Sequence, residues 1–206
     1  MGSHRFGTRR AAGALLCWLA VSLVPFCSTA FAQGGYVVTP VAERRLDHLP
    51  PGRLYWMVEG FPSLAQAQAA AGPESLAADV AGRAWLFTLG PEGGAGHGGE
   101  PVAKVGPVPA INSHEYLLRI NHAGGPPGAR TPVHMHPGSE TFYVLSGRLS
   151  QRTPHGVMSV EAGEAMPGHS PGLPMEVSSS GTEALSVLVM FVVDATVPFS
   201  TPGTLE

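Results

Sequence analysis

Cysteine is almost absent from this chain of 206 residues, and its two copies, Cys17 and Cys27, both lie near the N-terminus. From residue 33 onward the sequence contains no cysteine. That absence excludes a disulfide framework, a thiolate nucleophile and a thiolate metal ligand in this part of the chain. Its stability must therefore come from core packing, with any bound metal adding to it.

Charge is scarce as well, because only 13% of the residues are charged, with 12 Lys and Arg against 15 Asp and Glu. The sequence has no extended basic patch, which argues against nucleic acid and anionic lipid surfaces as partners. The chain is instead rich in turn formers, with 27 glycines and 20 prolines, and 44% of it is hydrophobic. This composition favours a turn-rich β protein over a helical or a disordered one.

The first 32 residues have the features of a cleavable export signal. A basic start that includes Arg9-Arg10 precedes an uncharged run over residues 11–26, and Ala30-Phe31-Ala32 then offers small residues for a signal peptidase. We predict cleavage after Ala32 and a periplasmic or secreted protein with no membrane association afterwards. Removal of three arginines leaves nine basic residues (12 less three) against 15 acidic ones, a formal net charge of −6. An uncleaved anchor is the alternative, and the arginine pair leaves twin-arginine export open.

The rest of the chain divides into three parts. Residues 33–110 are predicted to form an arm, strands and short helices that pack on a barrel, residues 111–197 form the barrel core, and residues 198–206 form a loose tail. In the first part the patterns indicate strands over 36–39, 54–58 and 84–88, a capped helix over 63–71, a second helix over 73–81 and a flexible loop over 90–109. In the barrel core, strands of about ten residues each with their turns are indicated at 116–121, 131–136, 141–145, 148–153, 158–160, 175–178 and 185–193.

The segment Gly128–Gly147 carries the most informative pattern in the sequence. His134 and His136 are two residues apart, so on a strand both imidazoles point to the same face. Glu140 follows the Pro137-Gly138 turn and can bring a carboxylate oxygen to the same point from the next strand. Two histidines and one carboxylate suit a single divalent metal ion such as iron, manganese, nickel, copper or zinc. The alternative is a pair of surface histidines beside a turn.

This segment resembles the first motif of the cupin superfamily, which reads Gly, five residues, His-x-His, three or four residues, Glu, six residues, Gly. All five fixed positions are present, at Gly128, His134, His136, Glu140 and Gly147. The resemblance implies an all-β fold, an antiparallel, jelly-roll-like cupin barrel with a short helical N-terminal elaboration. It also implies that the metal lies inside the mouth of the barrel.

The second cupin motif is incomplete in this chain. Gly163-Glu164 opens it and a Pro-Gly-x-Pro turn follows, but Met175 stands where the motif has its fourth ligand, a histidine. Three alternatives stay open: His169 completes the ligand set, or three protein ligands leave room for water or substrate, or the site holds no metal. Ligation of copper(I) by the Met175 thioether is a further option, although a methionine at an inward strand position usually fills the core.

Four residues are candidates for a substrate pocket around the metal: Met175, Tyr143, Arg119 and His122. Arg119 alternates with apolar residues on a predicted strand, so it can face the barrel and orient an anionic or polar ligand, or else face solvent. His122 ends that strand before a glycine-proline turn and can line the mouth. Tyr143 and Phe142 are adjacent, so one of these two aromatic rings should pack inward near Glu140.

Taken together, these patterns predict an exported metal-binding cupin that acts on a small organic substrate. Resemblance to quercetin-dioxygenase-like cupins makes a metal-dependent oxygenase the leading reaction type, since no general acid or base is evident outside the ligand set. The alternative is a non-catalytic module that binds a small molecule or a metal. Because many cupins are dimers through edge strands, we also expect a homodimer in which the arm around residues 36–39 exchanges between subunits.

Overall fold

The computed structural model describes residues 1–2 and 35–205, and in this range the protein is almost entirely β-structure. The predicted export signal lies outside the described residues. No described helix is long and apolar enough to cross a bilayer. The elements are β1 (Val37–Leu46), β2 (Leu54–Phe61), α1 (Leu64–Ala70), β3 (Ser75–Val80), β4 (Arg83–Pro91), β5 (Glu100–Val105), β6 (Tyr116–Gly125), β7 (His134–Met135), β8 (Gly138–Ser146), β9 (Arg148–Thr153), β10 (Gly156–Glu161), β11 (Ala165–Met166), β12 (Glu176–Ser179), β13 (Leu185–Asp194) and β14 (Thr201–Pro202).

The centre of the fold is an antiparallel sheet of five strands in the order β1-β6-β13-β8-β11. Strand β13 is apolar at nearly every position and is buried on both faces, as its sequence predicts. Side chains alternate across a strand, so Leu188 and Met190 point to one face and Val187 and Val189 to the other. Each face has its own hydrophobic core, and the two cores share this sheet as a common wall.

The core on the Leu188 face is closed by an N-terminal sheet of order β3-β4-β2-β5. The predicted strands in this part are present, and α1 follows β2 as the capping pattern predicts. The side chain of Ser63 accepts a hydrogen bond from the backbone N–H of Gln66 at 3.3 Å, which caps the first turn of α1. The arm from residue 37 joins the five-stranded sheet, because β1 pairs antiparallel with β6 of the same chain.

The predicted second helix over residues 73–81 is wrong, because this segment contains strand β3, which pairs with β4. The alanines favour a helix on propensity, but Leu76, Ala78 and Val80 alternate with more exposed residues and enter the core. At the start of the strand, the buried hydroxyls of Ser75 and Thr88 lie 2.8 Å apart in a hydrogen bond. Burial on a sheet has overridden the weak local preference.

Two segments predicted to be irregular contain short strands. The loop over 90–109 includes β5, which pairs with β2 at the sheet edge, where Pro101 is tolerated. The tail over 198–206 includes β14, which pairs with β7. Both partners are distant in the sequence, so local patterns could not reveal either pairing.

The core on the Val189 face forms the inside of a barrel, with β10-β9-β12 as the facing sheet. The segment before β7 and residue Met175 extend this wall through two isolated bridges, Arg130 to Ser178 and His134 to Met175. Strand β7 therefore lies between β14 and the Met175 segment. This placement brings the His-x-His pair against the inner end of the five-stranded sheet.

Candidate metal centre

Two strands and the turn between them position the three predicted ligands. His134 begins β7, His136 follows it, and β8 begins at Gly138, two residues before Glu140. At Gly138 a Cβ atom would lie only 2.1 Å from the carbonyl oxygen of Val192, so glycine alone lets the turn approach β13 this closely. The ligand atoms of His134, His136 and Glu140 all lie within 4.8 Å of one another.

Backbone carbonyls fix the orientation of both imidazoles. The carbonyl of Pro132 accepts a hydrogen bond from Nδ1 of His134 at 2.9 Å, and the carbonyl of Phe199 accepts one from Nδ1 of His136 at 2.7 Å. A carbonyl can only accept, so each Nδ1 carries the proton and each Nε2 presents a lone pair. This is the arrangement in which metal-binding histidines are held by their outer partners.

The electrostatics keep both imidazoles neutral. Burial lowers the pKa of His136 to about 4, and the adjacent His134 and the Arg119 charge act in the same direction, while the hydrogen bond to Phe199 opposes them. Burial also lowers the pKa of His134, with partial opposition from the hydrogen bond to Pro132. Neutral imidazole is the form that binds metals.

Glu140 is the member of the group whose carboxyl group is buried without sufficient hydrogen-bond partners. Its side chain is 5% exposed, Oε1 lies 4.0 Å from Nε2 of His136, and Oε2 is buried without a hydrogen-bond partner. Burial raises the pKa of Glu140 to about 8, so without a cation the carboxyl group is protonated at neutral pH. A buried oxygen without a partner beside two oriented imidazole lone pairs fits a divalent cation.

The structure does not bring His169 into the ligand group. Its Nε2 instead makes a short hydrogen bond with Oε1 of Gln151, and Nε2 of Gln151 donates to the sulfur of Met175 at 3.0 Å. The backbone of Met175 pairs with His134 through two hydrogen bonds of 2.8 and 2.9 Å. Met175 thus occupies the strand position beside the first histidine, and Gln151 holds both its sulfur and the His169 ring.

Among the predicted pocket residues, Arg119 shares the face of the five-stranded sheet that holds Glu140. Arg119 of β6 and Glu140 of β8 are the two cross-strand neighbours of Phe191 on β13. The three side chains therefore share the inner face of the sheet. The guanidinium carbon of Arg119 lies 4.0 Å above the ring of Phe199, its Nη2 donates to both oxygens of Glu43, and its Nε is buried without a partner.

Tyr143 and His122 lie on the other face of the five-stranded sheet. Tyr143 packs against the N-terminal core, with its ring centroid 6.3 Å from that of Trp85, so Phe142 is the aromatic residue that points inward. His122 follows Ile120 on the same face, and its Nε2 lies 2.8 Å from the hydroxyl of Ser186. Alternation along β6 and β8 separates both residues from the metal group.

Three residues near the site were not found from the sequence. Gln151 shares the inward face of β9 with Leu149 and is 1% exposed, so a polar residue at an inward position was a usable signal. Phe199 lies 63 residues from His136, and no local pattern links the two. Burial, and secondly the charge of Glu140, raise the pKa of Tyr36, which places this phenol in the electrostatic range of the carboxyl group.

One family model matches the part of the chain that holds the predicted ligands. Residues 124–191 match the family model described as the cupin domain, and this range holds the three predicted ligands and most of β13. Residues 124–191 therefore match a cupin domain, which confirms the resemblance drawn from the first motif. No curated protein matches the chain.

Among the solved structures that match part of the chain are a cyclase, a lyase and a protein named only by its superfamily. The polyketide cyclase RemF of Streptomyces resistomycificus is 22% identical over 43% of this chain and 62% of its own, with a TM-score of 0.36. The DMSP lyase DddQ of Ruegeria pomeroyi is 21% identical over 43% of this chain and 44% of its own, at 0.37. A cupin superfamily protein of Desulfitobacterium hafniense is 10% identical over 37% of this chain and 68% of its own, at 0.34. The chain spans less than two thirds of the length of the cyclase and of the lyase.

Proposed function

We propose that this protein binds one divalent transition metal through Nε2 of His134, Nε2 of His136 and Oε2 of Glu140, and that it acts as a metal-dependent enzyme on a small organic substrate. The observation that supports the proposal is the buried carboxyl group of Glu140, with its Oε2 unpartnered, within 4.8 Å of two imidazoles whose other nitrogens are held by carbonyls. The metal could be iron, manganese, nickel, copper or zinc, because all of them accept two histidines and a carboxylate.

Each residue of the site then has a defined role. The carbonyls of Pro132 and Phe199 hold the imidazoles in one tautomer, and Glu140 releases its proton when a cation binds. Arg119 lies on the same face, where Glu43 balances its charge and its unpartnered Nε can donate a hydrogen bond to a polar substrate group. When bound, the metal supplies Lewis-acid polarisation and open positions for substrate or oxygen, and an oxygenase-like reaction is the type we favour.

Elemental analysis of the purified protein tests the metal part of this proposal. We expect close to one bound transition metal per chain, and near-complete loss in the variants His134→Ala and Glu140→Gln. His155→Ala is the matched control, because His155 is exposed in a turn. Metal content in His134→Ala equal to that of the control would refute the metal site.

A non-catalytic binding module is the second candidate function. Met175 occupies the strand position beside His134, and its sulfur is held by Gln151 rather than left free. Oxygen uptake and product formation across a panel of phenols and small carboxylic acids separate the two candidates. Bound metal without turnover of any member would favour the module.

We also propose that the protein is exported and that a signal peptidase cuts after Ala32. The basic start, the uncharged run and the Ala30-Phe31-Ala32 site support this proposal. Mass spectrometry of the protein recovered from an exporting host gives the N-terminus directly. A mature chain that starts at Gln33 is expected, and a protein that keeps residues 1–32 would contradict it.

A further inference from the structure

The inner face of the barrel carries most of the buried polar atoms that lack a hydrogen-bond partner. In the described residues, six buried side-chain nitrogen and oxygen atoms have no partner. Four of them belong to residues whose cross-strand neighbours lie in the barrel core: Arg119, Asn121, Glu140 and Ser179. A buried polar atom without a partner costs free energy, so it is expected where a ligand or an ion supplies that partner. Their concentration on this face indicates that a polar ligand enters the barrel.

Asn121 is a buried amide beside the residues of the metal centre. Its side chain is 3% exposed, and its Oδ1 is buried without a hydrogen-bond partner. It follows Arg119 by two residues on β6, so both side chains point to the inner face, roughly 7 Å apart along the strand. Its cross-strand neighbour on β13 is Val189, and the next neighbour on β8 is Phe142. The amide therefore lies among apolar side chains, in the row next to that of Arg119 and Glu140.

We propose that the substrate is a small hydroxy acid, a monocarboxylate with a hydroxyl group on carbon 2 or 3, and that Asn121 selects the hydroxyl group. This inference rests on the function proposed above and names its substrate class. An amide offers an acceptor and two donors, and a hydroxyl group both donates and accepts, so the pair forms in either orientation of the amide. An analogue without the hydroxyl group would leave the buried amide unpaired, which is the basis of the selection.

Arg119 provides the position for the carboxylate. Its Nη2 donates to Glu43, whereas its Nε is buried without a partner, so one N–H donor remains for a substrate oxygen. A carboxylate and a hydroxyl group on neighbouring carbon atoms, each at a hydrogen bond of roughly 2.9 Å, span the roughly 7 Å between Arg119 and Asn121. One small molecule can therefore satisfy both side chains.

The charges of the site favour a single negative charge on the substrate. Arg119 and Glu43 form an ion pair at 2.9 Å and cancel each other. A divalent cation held by the Glu140 carboxylate and two neutral imidazoles leaves one positive charge in a buried site. One carboxylate neutralises it, whereas a neutral alcohol leaves it uncompensated and a dicarboxylate exceeds it.

Isothermal titration calorimetry with three matched pairs of acids tests the proposal: glycolate and acetate, lactate and propionate, 3-hydroxybutyrate and butyrate. We expect the protein to bind each hydroxy acid at least about tenfold more tightly than its deoxy partner, and Asn121→Ala to lower this preference by about tenfold. His122→Ala is the matched control, because His122 is the next residue of the same strand and points to the other face. A preference that Asn121→Ala leaves unchanged, or no binding of any hydroxy acid, would overturn the proposal.

A metal ion by itself also prefers a chelating hydroxy acid, so the preference is measured in Glu140→Gln as well. We expect this variant to bind the acids more weakly and to keep a preference that the added change Asn121→Ala removes. Metal content, measured for every variant, should stay unchanged in Asn121→Ala. A failure of the metal site and a failure of the hydroxyl selection are therefore distinguishable.

Thermal unfolding of Asn121→Leu separates recognition from a structural role of the amide. Leucine has the same branching without polar atoms, so we expect a higher melting temperature of the ligand-free protein together with loss of the preference for hydroxy acids. A lower melting temperature with an unchanged preference would show that the amide serves the fold, and would overturn the proposal.

Discussion

At the scale of single residues, the site is defined by what stands beside each ligand. His134 and Met175 are directly opposite each other on antiparallel segments, a geometry that places their side chains on one face with Cβ atoms about 5 Å apart. A histidine at position 175 would therefore lie beside His134. The thioether that replaces it is held by Gln151 at 3.0 Å and fills the core.

Restoring an imidazole at this position should strengthen the metal centre. We expect Met175→His to raise zinc affinity by about tenfold or more, since a fourth ligand, its third nitrogen, completes a tetrahedral set. Competition with a chromogenic chelator measures the change. Met175→Leu keeps the apolar volume without a donor and serves as control; if both variants bind zinc equally, residue 175 does not face the metal.

Sequence reasoning found the ligand candidates because their geometry is local. The spacing of His134, His136 and Glu140 spans one turn, and the alternation rule predicts a shared face whatever the rest of the fold does. The same rule leaves the choice of face undecided for Tyr143 and His122, since only the packing of a second sheet shows which side is the barrel. The inward position of Gln151 could not be predicted without the same knowledge of which face points into the barrel.

At the scale of elements, the C-terminal segment has a larger role than a tail. Strand β14 pairs with β7, and the N–H of Gly203 donates to the carbonyl of Val133 at 3.1 Å. Phe199 lies in the segment that connects β13 to β14. Its carbonyl accepts a hydrogen bond from Nδ1 of His136, and its ring centroid lies 4.7 Å from that of the same imidazole. The segment therefore covers the outer side of the His-x-His strand and fixes one of its rings.

Removal of residues 199–206 should weaken metal binding without removing a ligand. We expect a loss of about 10- to 100-fold in affinity, the range seen when an outer partner of a metal-bound histidine is lost. Phe199→Ala removes the ring but keeps the backbone carbonyl, so it separates the effects of these two groups. We expect this variant to bind metal more tightly than the truncated chain. Equal affinity of the truncated and complete chains would show that the carbonyl of Phe199 does not matter.

Local patterns found the strands that have clear turn signals and missed strands whose existence depends on distant partners. Strands β6, β8, β9 and β13 have clear turn signals and alternation or continuous apolar runs, so their positions follow from the sequence. Strands β5 and β14 exist only because distant strands pair with them, and β3 contradicts its own alanine content. Pairing with strands that are distant in the sequence determines the structure of these three segments. A short window of neighbouring residues does not reveal such pairing.

At the scale of the whole molecule, Glu140 and His136 are the buried groups whose large pKa shifts make the stability of the metal-free protein depend on pH. The pKa of Glu140 rises from 4.5 to about 8 on folding, so its contribution is complete below pH 4.5 and is lost as the pH rises to 8. The pKa of His136 falls from 6.5 to about 4, so its contribution is complete above pH 6.5 and is lost as the pH falls toward 4. The two trends oppose each other between pH 4.5 and 6.5.

Above pH 6.5 only the trend of Glu140 remains. Urea denaturation in the presence of a chelator should show the free energy of unfolding falling by about 1–2 kcal/mol between pH 6.5 and 8, near 1.4 kcal/mol per unit at most. Glu140→Gln cannot ionise and should abolish the fall. A metal-saturated sample should not show it either, and a fall that persists in Glu140→Gln would assign the effect to another group.

Strand β13 belongs to both hydrophobic cores, with no side chain left for water except near its ends. Neither the N-terminal sheet nor the barrel can therefore melt while the other keeps its native wall. Heat should abolish both in a single cooperative event, and the amide protons of this strand should be the last to exchange with deuterium.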